Sequence, residues 1–266
     1  MRLIRLLSLF CLSLGLFAAH AAEAKMVTKP VDWTLDGTSF HSVLVYDDAT
    51  TAKRPGLVMV PNWYGVSKIA VAKAEMIAGR SYVILLTDMY GATIRPTSDA
   101  EATKAMNPLL ADRPLMRKRI NYALDQLKAQ AGSAPIDTAR LAAIGFCFGG
   151  AAVLDLARSG TDIKAVVAFH GNLTTDDPTL AKNIKARVLA MNGADDAYTA
   201  PSFAGFTDEM RKNPADWQFV VIGHAVHCFT ETEATGATGM CRYDAKAAAR
   251  SYALMRQWLS ASFAAP

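Results

Sequence analysis

The chain has 266 residues, of which 52% are hydrophobic and 20% charged, with a formal net charge of +4. Such a composition builds a core and excludes a mostly disordered chain, and the charges are too scattered for a nucleic-acid-binding face. Four cysteines are too few for a disulfide-stapled scaffold.

The first segment, residues 1–24, reads as a secretory signal peptide. Arg2 and Arg5 precede an apolar run from Leu6 to Ala19, and both Ala19-His20-Ala21 and Ala22-Glu23-Ala24 fit a small-residue cleavage site. The alternative is a retained anchor, but the run falls short of the roughly 20 residues a span needs. No cysteine follows the small residues to carry a lipid. The expectation is export to the periplasm or beyond, with no stable membrane anchor after cleavage and a mature domain over 25–266. A cut after Ala21 leaves a charge of +2 and three cysteines, Cys147, Cys228 and Cys241. An odd count in an oxidising compartment implies one pair and one free thiol.

Strands are expected at 41–46, 56–60, 82–86, 141–146, 165–169, 187–191 and 218–222. Most are continuous apolar runs, the pattern of strands covered on both faces. Between them, Leu115, Met116, Ile120, Ala123, Leu124 and Leu127 share one helical face behind the cap Asp112-Arg113-Pro114. Ala248, Tyr252, Met255 and Leu259 keep a helical step near the end. The alternation predicts a single α/β domain with a doubly wound, mostly parallel sheet and helices on both faces. Segments 93–114 and 174–183 are expected as loops that wall a pocket.

The segment Gly145-Phe146-Cys147-Phe148-Gly149-Gly150 joins an apolar strand to a helix. It has the spacing of a nucleophile elbow with Cys where Ser is usual. A sharp turn lifts the central side chain above the sheet, the flanking positions leave no room for a Cβ, and the following helix aims its amides at the sulfur. The bland alternatives are a buried structural cysteine or a phosphate-binding turn. A nucleophile here calls for an acid and a base after later strands. Asn192-Gly193-Ala194-Asp195-Asp196 offers two carboxylates, and Gly223-His224-Ala225-Val226-His227-Cys228-Phe229 offers two imidazoles.

Taken together, the Cys147 turn, the Asp195-Asp196 loop and His227-Cys228-Phe229 resemble the dienelactone hydrolase family, a cysteine branch of the α/β-hydrolase fold. Pro61-Asn62-Trp63-Tyr64-Gly65-Val66 and Asp88-Met89-Tyr90-Gly91 extend the likeness. The resemblance implies Cys147 as nucleophile, Asp195 as acid, His227 as base, and the amides of Trp63 and Phe148 as oxyanion hole. His224 then lies at the rim, and Asp196 caps a turn or faces solvent. Asn62, Tyr64, Tyr90, Arg95, His170 and Phe229 are expected to line the substrate pocket; for His170 a hydrogen-bonded turn residue is the alternative. Two positions depart from the family. Its thiol-engaging glutamate is replaced by Asn62, and its carboxylate-binding arginine soon after Tyr90 is absent, Arg95 being the nearest.

Cys228 and Cys241 flank a polar loop and are expected to form a disulfide beside His227. Two reduced thiols, or a Cys147–Cys228 bridge, are the other outcomes. The function expected is hydrolysis of a small-molecule ester or lactone through an acyl-thioester, with no metal and no organic cofactor. Against it stand a non-catalytic binding or accessory protein, with Cys147 in a redox or structural role, and a thiol oxidoreductase, which the lack of a C-x-x-C pair disfavours.

Overall fold

The computed structural model describes residues 25–235 and 239–265, so the signal peptide expected at 1–24 lies outside the described residues. Eight strands form one sheet in the order β1-β2-β4-β3-β5-β6-β7-β8. In chain order they are β1 Met26–Leu35, β2 Thr38–Asp47, β3 Arg54–Val60, β4 Val83–Leu86, β5 Ile136–Phe146, β6 Ala165–Phe169, β7 Arg187–Gly193 and β8 Trp217–Ile222. β3 to β8 pair in parallel, while β2 is antiparallel to both β1 and β4. The helices are α1 Lys68–Ala78, α2 Asp99–Ala111, α3 Arg113–Ala129, α4 Phe148–Arg158, α5 Phe203–Arg211 and α6 Ala245–Ala264.

The apolar runs are continuous because successive residues feed opposite helix layers. Val58 and Val60 of β3 belong to the core layer that also holds Ile120 of α3, Val153 of α4 and Phe206 of α5. Leu57 and Met59, their neighbours in sequence, belong to the opposite layer, with Ala74 and Ile77 of α1 and Met255 and Leu259 of α6. Each large side chain buried this way contributes about 1.5–3 kcal/mol, which fixes the strands in register and their C-terminal ends at one edge.

Three features differ from the sequence expectation. β1 is an unforeseen edge strand: only Val31 and Trp33 of its ten residues are buried, and Pro30 interrupts the run. It joins β2 through Asp36-Gly37, both at positive φ, as a tight hairpin requires. Segment 93–114, expected as a loop, contains α2. Ser98 caps that helix by accepting from the Glu101 amide, but Pro108 and only two buried positions disguise its pattern. Segment 174–183 is partly 3-10 helix, Pro178–Asn183.

Candidate active site

Strand β5 ends at Phe146 and α4 begins at Phe148, leaving Cys147 alone to make the turn. Its backbone sits at φ +52°, ψ −114°, a conformation an L-residue holds only when its surroundings impose it. The Cys147 amide donates to Phe169 O at 3.0 Å, and its carbonyl accepts from the Gly150 and Ala151 amides. Close packing enforces the glycines: a Cβ on Gly145 would lie 2.0 Å from Gly149 O, and one on Gly149 would lie 2.1 Å from Val60 O. The Phe148 amide, first in α4, has no carbonyl one turn back and points its positive end toward the sulfur's side of the helix.

Two later loops meet this turn. After β8, His227 brings Nε2 to 3.2 Å from Cys147 Sγ. After β7, Asp196 Oδ2 lies 2.8 Å from His227 Nδ1. The loops approach closely because residue 193 is glycine; a Cβ there would lie 2.2 Å from Ala225 O. Asp196 is fully buried and further held by Thr199, whose Oγ1 donates to Oδ2 at 2.7 Å and whose amide, with that of Tyr198, donates to Oδ1. Burial alone would push the His227 imidazolium down, but the Asp196 carboxylate and Cys147 outweigh it and raise the group to about 10. Burial likewise opposes ionisation of Asp196, yet the bonds from His227 and Thr199 hold it below the usual carboxylate range.

The carboxylate at His227 is therefore that of Asp196, which corrects the expectation of Asp195. The Asp195 amide donates to Ala225 O while its side chain points outward, 59% exposed, and comes no closer than 4.0 Å to the exposed His224. The next residue enters the turn that ends at Thr199, and this rotates its carboxylate inward.

Other predicted positions also move. Arg95 is committed to the scaffold: it bonds Asp88 Oδ2 and the carbonyls of His41, Gly91 and Ile94. Asp88 in turn accepts from the Tyr90 and Gly91 amides, so this arginine braces the Asp88–Gly91 turn instead of facing a substrate. Phe229 is wholly buried with Ile222, Ala225 and Ala247 and is not a pocket wall. His170 is wholly buried as well, with Nε2 2.7 Å from Thr230 Oγ1 and its ring edge-on to His227 at 5.1 Å. Burial lowers it to about 4, leaving a neutral ring. Tyr90 Oη donates to the Trp63 carbonyl at 2.9 Å, and Tyr64 Oη donates to Asp99. Cys228 and Cys241 are joined in a disulfide, and Cys147 is a free thiol. The chain also pairs as an isolated bridge between His227 and Cys241, so His227 sits against the clasp of the loop.

One buried group escaped the sequence reading. Glu231 accepts from Lys73 Nζ at 2.7 Å, Asn62 Nδ2 at 2.7 Å and Thr230 Oγ1 at 3.2 Å, with His170 Nε2 at 3.4 Å. Burial opposes its charge, but His170 and Lys73 hold it well below the usual carboxylate range. The signal was Lys73, set in the buried stripe Ala70, Ala74, Ile77 of α1, where a cation needs a partner. A cavity of about 320 Å³ is lined by Asn62, Tyr64, Lys73, Thr97, Phe146 and Glu231, among others.

A doubly wound sheet with a sulfur at a strained strand-to-helix turn defines an enzyme of the α/β-hydrolase fold. The model of the dienelactone hydrolase family matches residues 40–263, and the chain belongs to that family; it is thus a hydrolase of the ester and lactone class. Among solved structures it is similar to m3DLH, with 34% identity, 90% of this chain and 99% of that one covered, and a TM-score of 0.84. A dienelactone hydrolase-like promiscuous phosphotriesterase from metagenomic libraries matches with 35% identity, the same coverage and a TM-score of 0.83. Among curated proteins, the uncharacterized protein K02A2.1 of Caenorhabditis elegans is 34% identical over 154 residues, 56% of this chain and 95% of its own length. A Bradyrhizobium sp protein named as a probable 2-oxo-3-(5-oxofuran-2-ylidene)propanoate lactonase is 27% identical over 217 residues, 77% of this chain and 86% of its own.

Proposed function

We propose that the protein is exported and hydrolyses small carboxylic esters or lactones through Cys147, His227 and Asp196, by way of an acyl-thioester. The observation that carries this reading is the line of contacts from sulfur to imidazole to carboxylate, 3.2 Å and 2.8 Å. His227 takes the thiol proton, and the thiolate attacks the acyl carbon. The carbonyl oxygen becomes an oxyanion facing the Phe148 and Trp63 amides. As the C–O bond breaks, the imidazolium returns its proton to the departing alkoxide, which in a lactone stays tethered to the acyl group. His227 then takes a proton from water, the hydroxide adds to the thioester, and the acid leaves as the thiolate is restored. Among the described residues the Trp63 amide has no hydrogen-bond acceptor of its own, as a donor reserved for substrate requires.

Purified mature protein is expected to release p-nitrophenol from p-nitrophenyl acetate with a burst near one per Cys147, lost in Cys147→Ala and after alkylation. Undiminished turnover in that variant would favour the accessory-protein reading. The likeness to a phosphotriesterase at 35% identity supports a second substrate class for the same thiolate, tested with a p-nitrophenyl phosphotriester. Export rests on the composition of residues 1–24 and agrees with the Cys228–Cys241 bridge, since disulfides persist in oxidising compartments. Cell fractionation with mass determination of the mature N-terminus tests it.

A further inference from the structure

The bonds of Glu231 join four parts of the molecule: α1 through Lys73, the loop after β3 through Asn62, the end of β6 through His170, and its own loop after β8. A buried ion pair is weak evidence for stability, because its desolvation cost commonly matches or exceeds its attraction. Geometry is what this one supplies. Asn62 Nδ2 donates to Glu231, while its Oδ1 accepts from the Tyr64 amide at 3.1 Å and its carbonyl accepts from the Gly65 amide at 2.9 Å. The peptide between Asn62 and Trp63 is thus clamped on one side by Glu231. Tyr90 holds the Trp63 carbonyl on the other. The loop that carries His227 and the loop that carries the Trp63 amide share this one carboxylate.

We propose that Glu231 is a positioning residue for the hydrolysis: through Asn62 it aims the Trp63 amide at the developing oxyanion and keeps that amide in register with His227. The inference rests on the Cys147 hydrolase reading. It concerns the transition state and not formation of the thiolate, since Glu231 has no contact with the sulfur among the described residues. Lys73 neutralises the carboxylate, and Phe146 lies beneath its ammonium at 4.5 Å.

Two double variants isolate the bond to Asn62. Glu231→Gln with Lys73→Met removes both charges and keeps an acceptor for Asn62; Glu231→Leu with Lys73→Met removes the acceptor too. On p-nitrophenyl acetate the first is expected to recover kcat to within about threefold of the parent. The second is expected to lose about tenfold to a hundredfold in kcat, the range for a misplaced oxyanion donor. KM is expected to change by less than about threefold in both. The rate of Cys147 alkylation by iodoacetamide, which needs no oxyanion hole, is expected to match the parent in both. Equal kcat in the two variants, or slowed alkylation in the leucine variant alone, overturns the positioning role. Should the leucine variant fail to fold, Asn62→Ala is expected to show the same fall in kcat with unaltered alkylation, and a parent-like kcat there overturns it equally. Failure of the underlying reading is a separate result: it appears as full activity in Cys147→Ala.

Discussion

Replacing Asp196 by asparagine tests which carboxylate serves His227. Asparagine keeps the shape, and its Oδ1 can still accept from the Tyr198 and Thr199 amides. It presents an amide where Oδ2 now lies 2.8 Å from Nδ1. Against the cost of burial, Asp196 and Cys147 together hold the His227 proton up to about 10, well above the ordinary imidazole range. A charge-assisted hydrogen bond of this kind contributes about 1.5–3 kcal/mol, so its loss is expected to lower kcat about 10- to 150-fold. The wrong imidazole tautomer adds to that loss. Stopped-flow measurement of the p-nitrophenol burst separates acylation from turnover, and circular dichroism checks the fold. Asp195→Asn, at an outward-facing side chain, is expected to stay within about twofold. The reasoning is refuted if Asp195→Asn is the slower enzyme, or if Asp196→Asn acylates at the parental rate.

Four further outcomes follow from the same geometry. His227 keeps its proton up to about 10, so its imidazolium stays beside the sulfur at 3.2 Å across neutral pH, and His227→Ala is expected to slow alkylation of Cys147 by iodoacetamide at pH 7 by about tenfold or more. The His227–Asp196 pair, 2.8 Å apart, stabilises the fold in opposite directions of pH. The His227 contribution is complete below 6.5 and fades as pH rises through about 10, and that of Asp196 fades as pH falls below the ordinary aspartate value of 3.8; urea melts across pH read both. Opening the Cys228–Cys241 loop, with a sequence separation of 13, by Cys228→Ser and Cys241→Ser is expected to cost about 3 kcal/mol, or about 6–12 °C in Tm. Arg158, 1% exposed, makes two 2.8 Å bonds to Glu209 and one of 3.0 Å to Asp155; Glu209→Ala leaves two buried guanidinium donors without their acceptor and is expected to cost about 1–3 kcal/mol in a urea melt.

The layered sheet was legible because apolar runs such as Val83–Leu86 have no other stable environment than between two helix layers. The turn at Cys147 was legible because Gly145 and Gly149 leave no space for a Cβ, a constraint written into the sequence itself. Edge strand β1 and helix α2 were hidden, since each buries only two residues and carries a proline inside. The choice between Asp195 and Asp196 turns on a rotation of one residue after β7, and no periodicity records it. Glu231 was hidden for a different reason, since buried Lys73 signals the need for a partner and not which residue supplies it. Its partners Asn62, Lys73 and His170 come from three distant stretches, and only the closed fold brings them within 3.4 Å.

Asn62 shows how a single exchange is absorbed by the rest of a site. The family resemblance expects a glutamate there, engaged with the thiol. In this protein the side chain at 62 turns to Glu231 at 2.7 Å, and a second carboxylate at that distance would meet its like charge in a buried setting. An amide is the side chain of nearly the same shape that donates to Glu231 and accepts from Tyr64 at once. Among the described residues, the hydrogen bond to Cys147 Sγ then comes from His227 alone. On the proposed mechanism, activation of the thiol rests on the imidazole, with no acidic side chain at position 62 to be displaced before attack.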